Sequence, residues 1–116
     1  MQGKRLDRVN QLIKEEVSML LQRELKDPRL GFVTVTDVET SKDLRTAKIF
    51  VSVLGDDAQW KASMAALESA RGFVRSWLRQ HLDLRVTPEL DFRPDHSLEH
   101  AARIQSILKQ VRASGS

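Results

Sequence analysis

Residues 70–75 read Ala70-Arg71-Gly72-Phe73-Val74-Arg75 and lie between two runs of helix-forming residues. Gly72 has no Cβ, so it permits a change of direction or a close backbone approach that a side chain would block. Arg71, Arg75 and Arg79 follow one another at a spacing of four, which places them on the same face of a helix. A helix pair that is kinked at Gly72 and edged with cations suits a phosphate backbone, so this segment predicts an RNA-binding domain.

Charge is distributed unevenly along the 116 residues, whose formal net charge is +3. Residues 70–86 hold four arginines against one aspartate, whereas residues 31–60 hold five acidic and three basic side chains. A polarised basic surface attracts polyanions such as nucleic acids. Solvated helix faces with no binding role are the plainer alternative.

Several classes of protein are excluded by composition. The chain contains no cysteine, so it has neither a disulfide framework nor thiolate chemistry. Its longest apolar run is far shorter than a membrane span. The basic start, residues 1–5, is not followed by an apolar region, so we expect no signal peptide and a cytoplasmic protein.

Hydrophobic periodicity predicts the element order α-β-β-α-α-β-α. The clearest strand has Ala47, Ile49, Val51 and Val53 on one face. The expected elements are helix 5–25, strands 32–39 and 46–54, helix 58–70, a second helix from Gly72 to about Leu82, strand 85–93 and a last helix marked by residues 101–111. We expect a single domain over residues 1–112 and a short flexible tail over residues 113–116.

Local signals refine these boundaries. Asp27-Pro28 should end the first helix, because the residue before a proline is pushed out of the α region. A break in the alternation at Val38 predicts a bulge near Asp37. Either Asp56 or Asp57 is a suitable N-cap for the central helix. After Gly72, the expected core face is Phe73, Val74, Trp77, Leu78 and Leu82.

Two strands, a helix–glycine–helix unit and a third strand are the order of a type II KH domain. We therefore expect an α+β fold with a three-stranded sheet, helices on one face and an additional C-terminal helix. KH domains normally clamp four nucleotides with a Gly-x-x-Gly loop. No two of the five glycines are three residues apart, so the usual clamp is missing. The segment Ala70-Arg71-Gly72 lies where a KH domain would have that Gly-x-x-Gly loop.

Here the chain resembles the ribosome-binding factor A family, from about Arg5 to Leu108. In that family an Ala-x-Gly kink replaces the KH clamp, as residues 70–72 do here. The other segments that carry the resemblance are Leu25-Lys26-Asp27-Pro28-Arg29-Leu30-Gly31, Ser41-Lys42-Asp43-Leu44, Ala47-Lys48-Ile49-Phe50-Val51, Leu84-Arg85-Val86-Thr87-Pro88-Glu89-Leu90, Phe92 and Asp95-His96-Ser97.

The resemblance implies a bacterial assembly factor that is monomeric, uses no cofactor and is not an enzyme. Family members bind the free or immature 30S subunit and assist maturation of 16S rRNA, notably its 5′ region, including during growth in the cold. Implied partners are the 30S subunit and 16S rRNA, with small-subunit proteins or other assembly factors as further candidates.

The residues expected to contact RNA fall into two patches. One follows the central helices, where arginines offer bidentate geometry to phosphates and Gly72 allows close approach. The second patch joins the hairpin loop and the start of the chain. The candidates in the first patch are Ala70, Arg71, Gly72, Arg75, Arg79 and Arg85; those in the second are Lys42, Arg45, Lys4, Arg5 and Arg8.

Competing interpretations concern the aromatic residues and two histidines. Trp60 and Trp77 could stack on bases, although their helical spacing is more typical of core packing. His96-Ser97-Leu98-Glu99-His100 matches a zinc-peptidase pattern, but a third ligand would have to come from upstream. A small metal-dependent hydrolase and a protein–protein adaptor that docks through its last helix are therefore the alternatives. We predict neither a metal site nor catalytic residues.

Overall fold

The computed structural model describes residues 2–114, excluding the side chains of Gln2, Ala101, Ala113 and Ser114. Its elements are α1 (Gln2–Arg23), β1 (Phe32–Thr40), β2 (Thr46–Leu54), α2 (Asp57–His81), β3 (Glu89–Pro94) and α3 (Ser97–Ser114). The sheet has the order β1-β2-β3, with β1 antiparallel and β3 parallel to β2. The predicted α+β class and its three-stranded sheet are confirmed.

The core lies between one sheet face and the two longer helices. Ala47, Ile49, Val51 and Val53 of β2 are all buried, as their alternation predicts. Against them pack Ile13, Val17, Leu20 and Leu21 of α1 and Leu67, Val74 and Leu78 of α2. The predicted bulge is confirmed as a register shift between Val35 and Asp37. We call this packed side of the sheet the inner face and its other side the outer face.

The central helix corrects the prediction of two separate helices that meet at Gly72. Residues 57–81 form one helix of 25 residues that runs through Gly72 without a break. A glycine in a helix interior costs only about 0.5–1 kcal/mol relative to alanine. Buried Leu67 and Val74 lie on either side of Gly72 and keep that part of the helix on the core. The expected cap is confirmed at Asp56, whose carboxylate accepts a hydrogen bond from Gln59 N–H in a capping box.

Three further boundaries differ from prediction. α1 ends at Arg23, earlier than expected, and Leu25 N–H then donates to the Leu20 carbonyl. β3 begins at Glu89 rather than residue 85, because the carbonyls of Thr87 and Pro88 accept hydrogen bonds from Arg75. α3 continues to Ser114, so two residues of the expected tail are helical. The other two lie outside the described residues.

α3 does not belong to the helical layer over the inner face. Among the described residues, the core cluster draws its members from α1, α2 and the sheet, with none from α3. The first turn of α3 is held instead by Trp60, whose indole N–H donates to Glu99 at 2.7 Å. Leu98, Ile107 and Val111 of α3 are more than half exposed. The expected additional C-terminal helix is present, and its apolar residues Ile104, Ile107, Leu108 and Val111 are 45 % to 62 % exposed.

Gly72→Ala should raise the free energy of unfolding by about 0.5–1 kcal/mol. Gly72 lies inside a continuous helix, and a Cβ built there meets no atom within 4 Å. Urea unfolding of the two proteins measures the change. Ala65→Gly, on an exposed position of the same helix, is the matched control and should lower stability by a similar amount. Loss of stability in the Gly72 variant would contradict an uninterrupted helix.

Candidate nucleic-acid interface

Three cationic side chains from distant parts of the chain line one cleft of about 240 Å³. Arg5 comes from α1, Lys42 from the β1–β2 hairpin loop and Arg85 from the α2–β3 connection. Within the described residues, none of the three makes a hydrogen bond or an ion pair. Asp43 is the carboxylate in the lining, so the cleft keeps an excess of positive charge. Leu6, Leu44 and Val86 complete the wall.

The hairpin loop that carries Lys42 is held by its own side chains. Ser41 Oγ donates to Asp43 Oδ1 at 2.6 Å, and Arg45 N–H donates to the same oxygen at 3.1 Å. These hydrogen bonds lower the pKa of Asp43, because they stabilise its charged form. Leu44 follows with φ of 62°, a left-handed conformation that costs an L-residue roughly 1–2 kcal/mol. The Ser41–Asp43–Arg45 network therefore holds the loop on both sides of Lys42.

The first turns of α1 add to the positive potential of the cleft. Lys4 and Arg5 lie in the first turn and Arg8 in the next, and all three are exposed. No acidic residue lies in that first turn. The unpaired N–H groups at a helix start carry about half a positive charge, which the cations reinforce rather than cancel. This concentration of positive charge destabilises the start of the isolated helix and favours the binding of an anion there.

Arg75 connects α2 to the segment that carries Arg85. Its Nη2 donates to the Thr87 carbonyl at 3.0 Å, and its Nε donates to the Pro88 carbonyl at 3.2 Å. Glu89 lies 3.5 Å from the same guanidinium. A planar guanidinium can hold two carbonyls and one carboxylate at once. Arg75 therefore holds Thr87 and Pro88 in place, a role that its spacing in the sequence did not indicate.

The other predicted residues of α2 are more open. Arg71 forms an exposed ion pair with Glu68 at 3.3 Å, and exposed Arg79 has no partner among the described residues. Ala70 is half-buried and Gly72 is exposed beside them. Phe73 was predicted in the core but is 50 % exposed. An exposed aromatic ring one residue after Gly72 is a contact candidate that the periodicity missed.

The structure groups the predicted residues differently from the sequence. Arg85 was assigned to the α2 patch, yet it shares its cleft with Arg5 and Lys42 of the second patch. Arg45 belongs to the same end of the sheet, since its carbonyl accepts from Glu89 N–H at 2.8 Å. Because Arg75 holds residues 87 and 88, the two patches meet at the α2–β3 connection.

Both tryptophans have structural partners. Trp60 is 7 % exposed, and its ring centroid lies 4.2 Å from that of His96. Trp77 donates its indole N–H to Glu16 at 2.8 Å and stacks on His81 at 3.9 Å. These contacts agree with packing roles: Trp60 is buried, and Trp77 is partly buried with its ring stacked on His81.

The zinc-peptidase pattern also has another explanation in the structure. His96 Nδ1 lies 3.3 Å from Glu99 Oε2, and the other oxygen of Glu99 accepts from Trp60. Across residues 2–114, no three His, Cys, Asp or Glu side chains are grouped so that they could hold a metal ion. His96 and Glu99 thus fasten the start of α3 to α2. Over the same residues, no helix is both long and apolar enough to cross a membrane.

Arg75→Ala should lower the free energy of unfolding by about 1–2 kcal/mol, because two carbonyls lose a charged donor. Arg79→Ala is the matched control, one turn further along the same face, and should change stability by less than about 0.5 kcal/mol. Urea denaturation of the three proteins measures both effects. Equal stability of the two variants would contradict the positioning role of Arg75.

Acid titration tests the network in the hairpin loop. The folded-state pKa of Asp43 is lowered, so its contribution to stability is present above the unfolded value near 3.8 and is lost as the pH falls through the folded value. In Asp43→Asn the side chain does not titrate. The stability difference between wild type and variant should therefore be largest near neutral pH and shrink below pH 3.8. A difference that is constant from pH 7 to about pH 2 would contradict the lowered pKa.

Comparison with known proteins identifies the family of the chain. The family model described as ribosome-binding factor A matches residues 5–108. The chain is 49 % identical to ribosome-binding factor A of Halothermothrix orenii over 112 residues, which cover 97 % of this chain and 92 % of that protein.

Solved structures give the same result. The crystal structure of ribosome-binding factor A from Thermus thermophilus matches with a TM-score of 0.69 and 26 % identity, over 77 % of this chain and 94 % of that one. A model of the Thermus thermophilus factor has been fitted into a cryo-electron-microscopy map of a 30S complex. It matches with a TM-score of 0.63 and 27 % identity, over 74 % of this chain and 90 % of that one. These structures have the KH-like fold predicted for this chain. The chain therefore belongs to the ribosome-binding factor A family, whose members are non-catalytic assembly factors and not enzymes.

Proposed function

We propose that this chain binds the free or immature 30S subunit and assists maturation of 16S rRNA. The observation that carries the proposal is the convergence of Arg5, Lys42 and Arg85 in one cleft. Three cations against one carboxylate leave the cleft with a net positive charge, which a phosphate group would neutralise. A related factor that has been fitted into a map of a 30S complex supports the choice of partner.

The mode of binding follows from the residues around the cleft. The cations of the cleft contact phosphates, while Arg71 and Arg79 extend the contact along α2. Arg75 acts mainly through residues 87 and 88, since two of its N–H groups are already bonded to carbonyls. Gly72 and exposed Phe73 let the RNA backbone and a base approach the same helix. Backbone contacts of this kind give affinity and register rather than sequence selection.

Assistance to maturation needs no chemical step by the protein. A bound factor shifts an RNA conformational equilibrium only by the difference between its affinities for the two states. The protein holds an immature arrangement, including the 5′ region of 16S rRNA, and leaves when the mature subunit no longer offers the site. Misfolded RNA is longer-lived in the cold, so the need for such a factor is greatest there. We place this activity in the cytoplasm and assign it to a monomer.

Reversing the charges of Arg5, Lys42 and Arg85 to Glu should weaken binding to purified 30S subunits. The log–log salt slope should become shallower by roughly two to three units, as expected for the loss of three phosphate contacts. Binding isotherms across a salt series measure both quantities. Lys26→Glu, an exposed cation beyond the other end of α1, is the matched single-site control and should change little.

Three results would decide the proposal. Preference for free 30S subunits over assembled 70S ribosomes would support an assembly factor. An unchanged affinity and salt slope in the triple variant would refute the cleft as the RNA site. The double variant Arg71→Glu, Arg79→Glu is compared with the cleft variant. If both lose the same affinity for 30S subunits, the RNA contact continues across both patches.

A further inference from the structure

An apolar cavity lies at the opposite end of the sheet from the basic cleft. Its volume is about 580 Å³, and Phe32, Leu54 and Leu98 line it. Phe32 and Leu54 are register partners on the outer face and are 81 % and 76 % exposed. Leu98, from the first turn of α3, is 58 % exposed. Three large apolar side chains that face one open cavity are a feature of interaction sites rather than of ordinary surface.

The charge around this cavity is opposite to that of the cleft. Glu99 is the charged residue among the described lining, and its carboxylate is fixed by Trp60 N–H at 2.7 Å. Asp56 and Asp57 directly follow Gly55, which also lines the cavity. Arg103 is the nearest cation along the chain, one residue after Ala102 of the lining. The one charged group of the lining is thus a carboxylate, and two more carboxylates follow Gly55 in the chain, which disfavours a phosphate backbone and favours a basic segment.

The outer face of the sheet continues the acidic character. Lys48 stands in register between Glu39 and Asp91, and Asp91 also pairs with Arg93 at 2.9 Å. Asp95 accepts from Thr36 at 2.6 Å. The carboxylates there outnumber the cations, so this face too disfavours RNA.

We infer that the cavity is a docking site for a segment of another protein in which an apolar side chain is flanked by lysines or arginines. The inference rests on the proposed function. A particle made of rRNA and protein offers two kinds of surface, phosphates and the basic protein segments that neutralise them. The cleft suits the first kind, and the acid-rimmed cavity suits the second. The apolar anchor fills the space between Phe32, Leu54 and Leu98, and its basic neighbours face Asp57 and Glu99.

The main test separates protein contact from RNA contact. Phe32→Ser with Leu54→Ser removes two exposed side chains and should leave the fold intact, as a thermal unfolding curve will check. Binding to 30S subunits should weaken about tenfold with an unchanged salt slope, whereas binding to protein-free 16S rRNA should not change. Ile107→Ser with Val111→Ser, equally exposed on α3 but outside the cavity, is the control and should have no effect.

A charge substitution gives a second, independent readout. Asp57→Lys makes the protein more basic, so any contact with phosphates should become stronger. If the site receives a basic protein segment, the same variant should instead bind 30S subunits less tightly. Glu15→Lys, with the same charge change on an exposed position of α1, is the control. Tighter binding by the Asp57 variant than by the control would overturn the inference.

Site-specific crosslinking identifies the occupant. A photoreactive phenylalanine analogue replaces Phe32, and the modified protein is bound to purified 30S subunits. Crosslinks to a basic segment of a subunit protein would support the inference. Crosslinks to rRNA or to a second copy of this chain, or none outside the chain itself, would overturn it. Full affinity of the Phe32→Ser, Leu54→Ser variant for 30S subunits would also overturn the inference. That outcome would not affect the test of RNA binding by the basic cleft.

Discussion

The parallel pairing of β2 and β3 is the constraint on which both candidate sites depend. Parallel neighbours cannot be joined by a tight turn, so the chain must travel back along the sheet before the second strand begins. Here α2 makes that return, and β3 starts opposite Thr46. The connection that bears Arg85 therefore arrives beside the hairpin loop that bears Lys42. The end of β3 brings α3 to the other end of the sheet, near Leu54.

This topology separates two chemically different ends by the length of a strand. The nine residues of β2 span roughly 30 Å at the usual rise of a β-strand. Unpaired cations gather at one end, where they outnumber Asp43. Exposed apolar side chains and carboxylates gather at the other. The RNA contact and the protein contact proposed above would therefore not interfere with each other.

Arg75 shows how stability and function are linked in the fold. Its hydrogen bonds to Thr87 and Pro88 replace the strand pairing that these residues would otherwise make. They also hold the chain two and three residues after Arg85 against α2. From the sequence, Arg75 was indistinguishable from Arg71 and Arg79, because spacing along a helix indicates a shared face but not the element that faces it. Only the packed structure separates the arginine that positions a loop from the arginines that are open to a ligand.

Local patterns predicted much of this fold. The alternation of β2 and the bulge before Val38 were predicted correctly, because the two-residue period of a strand can be read from the sequence. The prediction of an N-cap at Asp56 or Asp57 was right because an N-cap depends on neighbouring residues only, and the structure selects Asp56. The division at Gly72 was wrong, since buried residues on both sides outweigh the small intrinsic penalty of a glycine. Phe73 was misplaced because the width of a buried helix face depends on what packs against it.

The sequence by itself determined the fold class, the family and the identity of the basic residues, because composition, periodicity and local motifs are properties of the chain alone. The tertiary structure decided which of these residues act together. It joined Arg5, Lys42 and Arg85, which are separated by 37 and 43 positions in the chain, and it brought Phe32 and Leu54 against the start of α3. Such groupings arise from strand order and helix packing, which link positions that no local pattern relates.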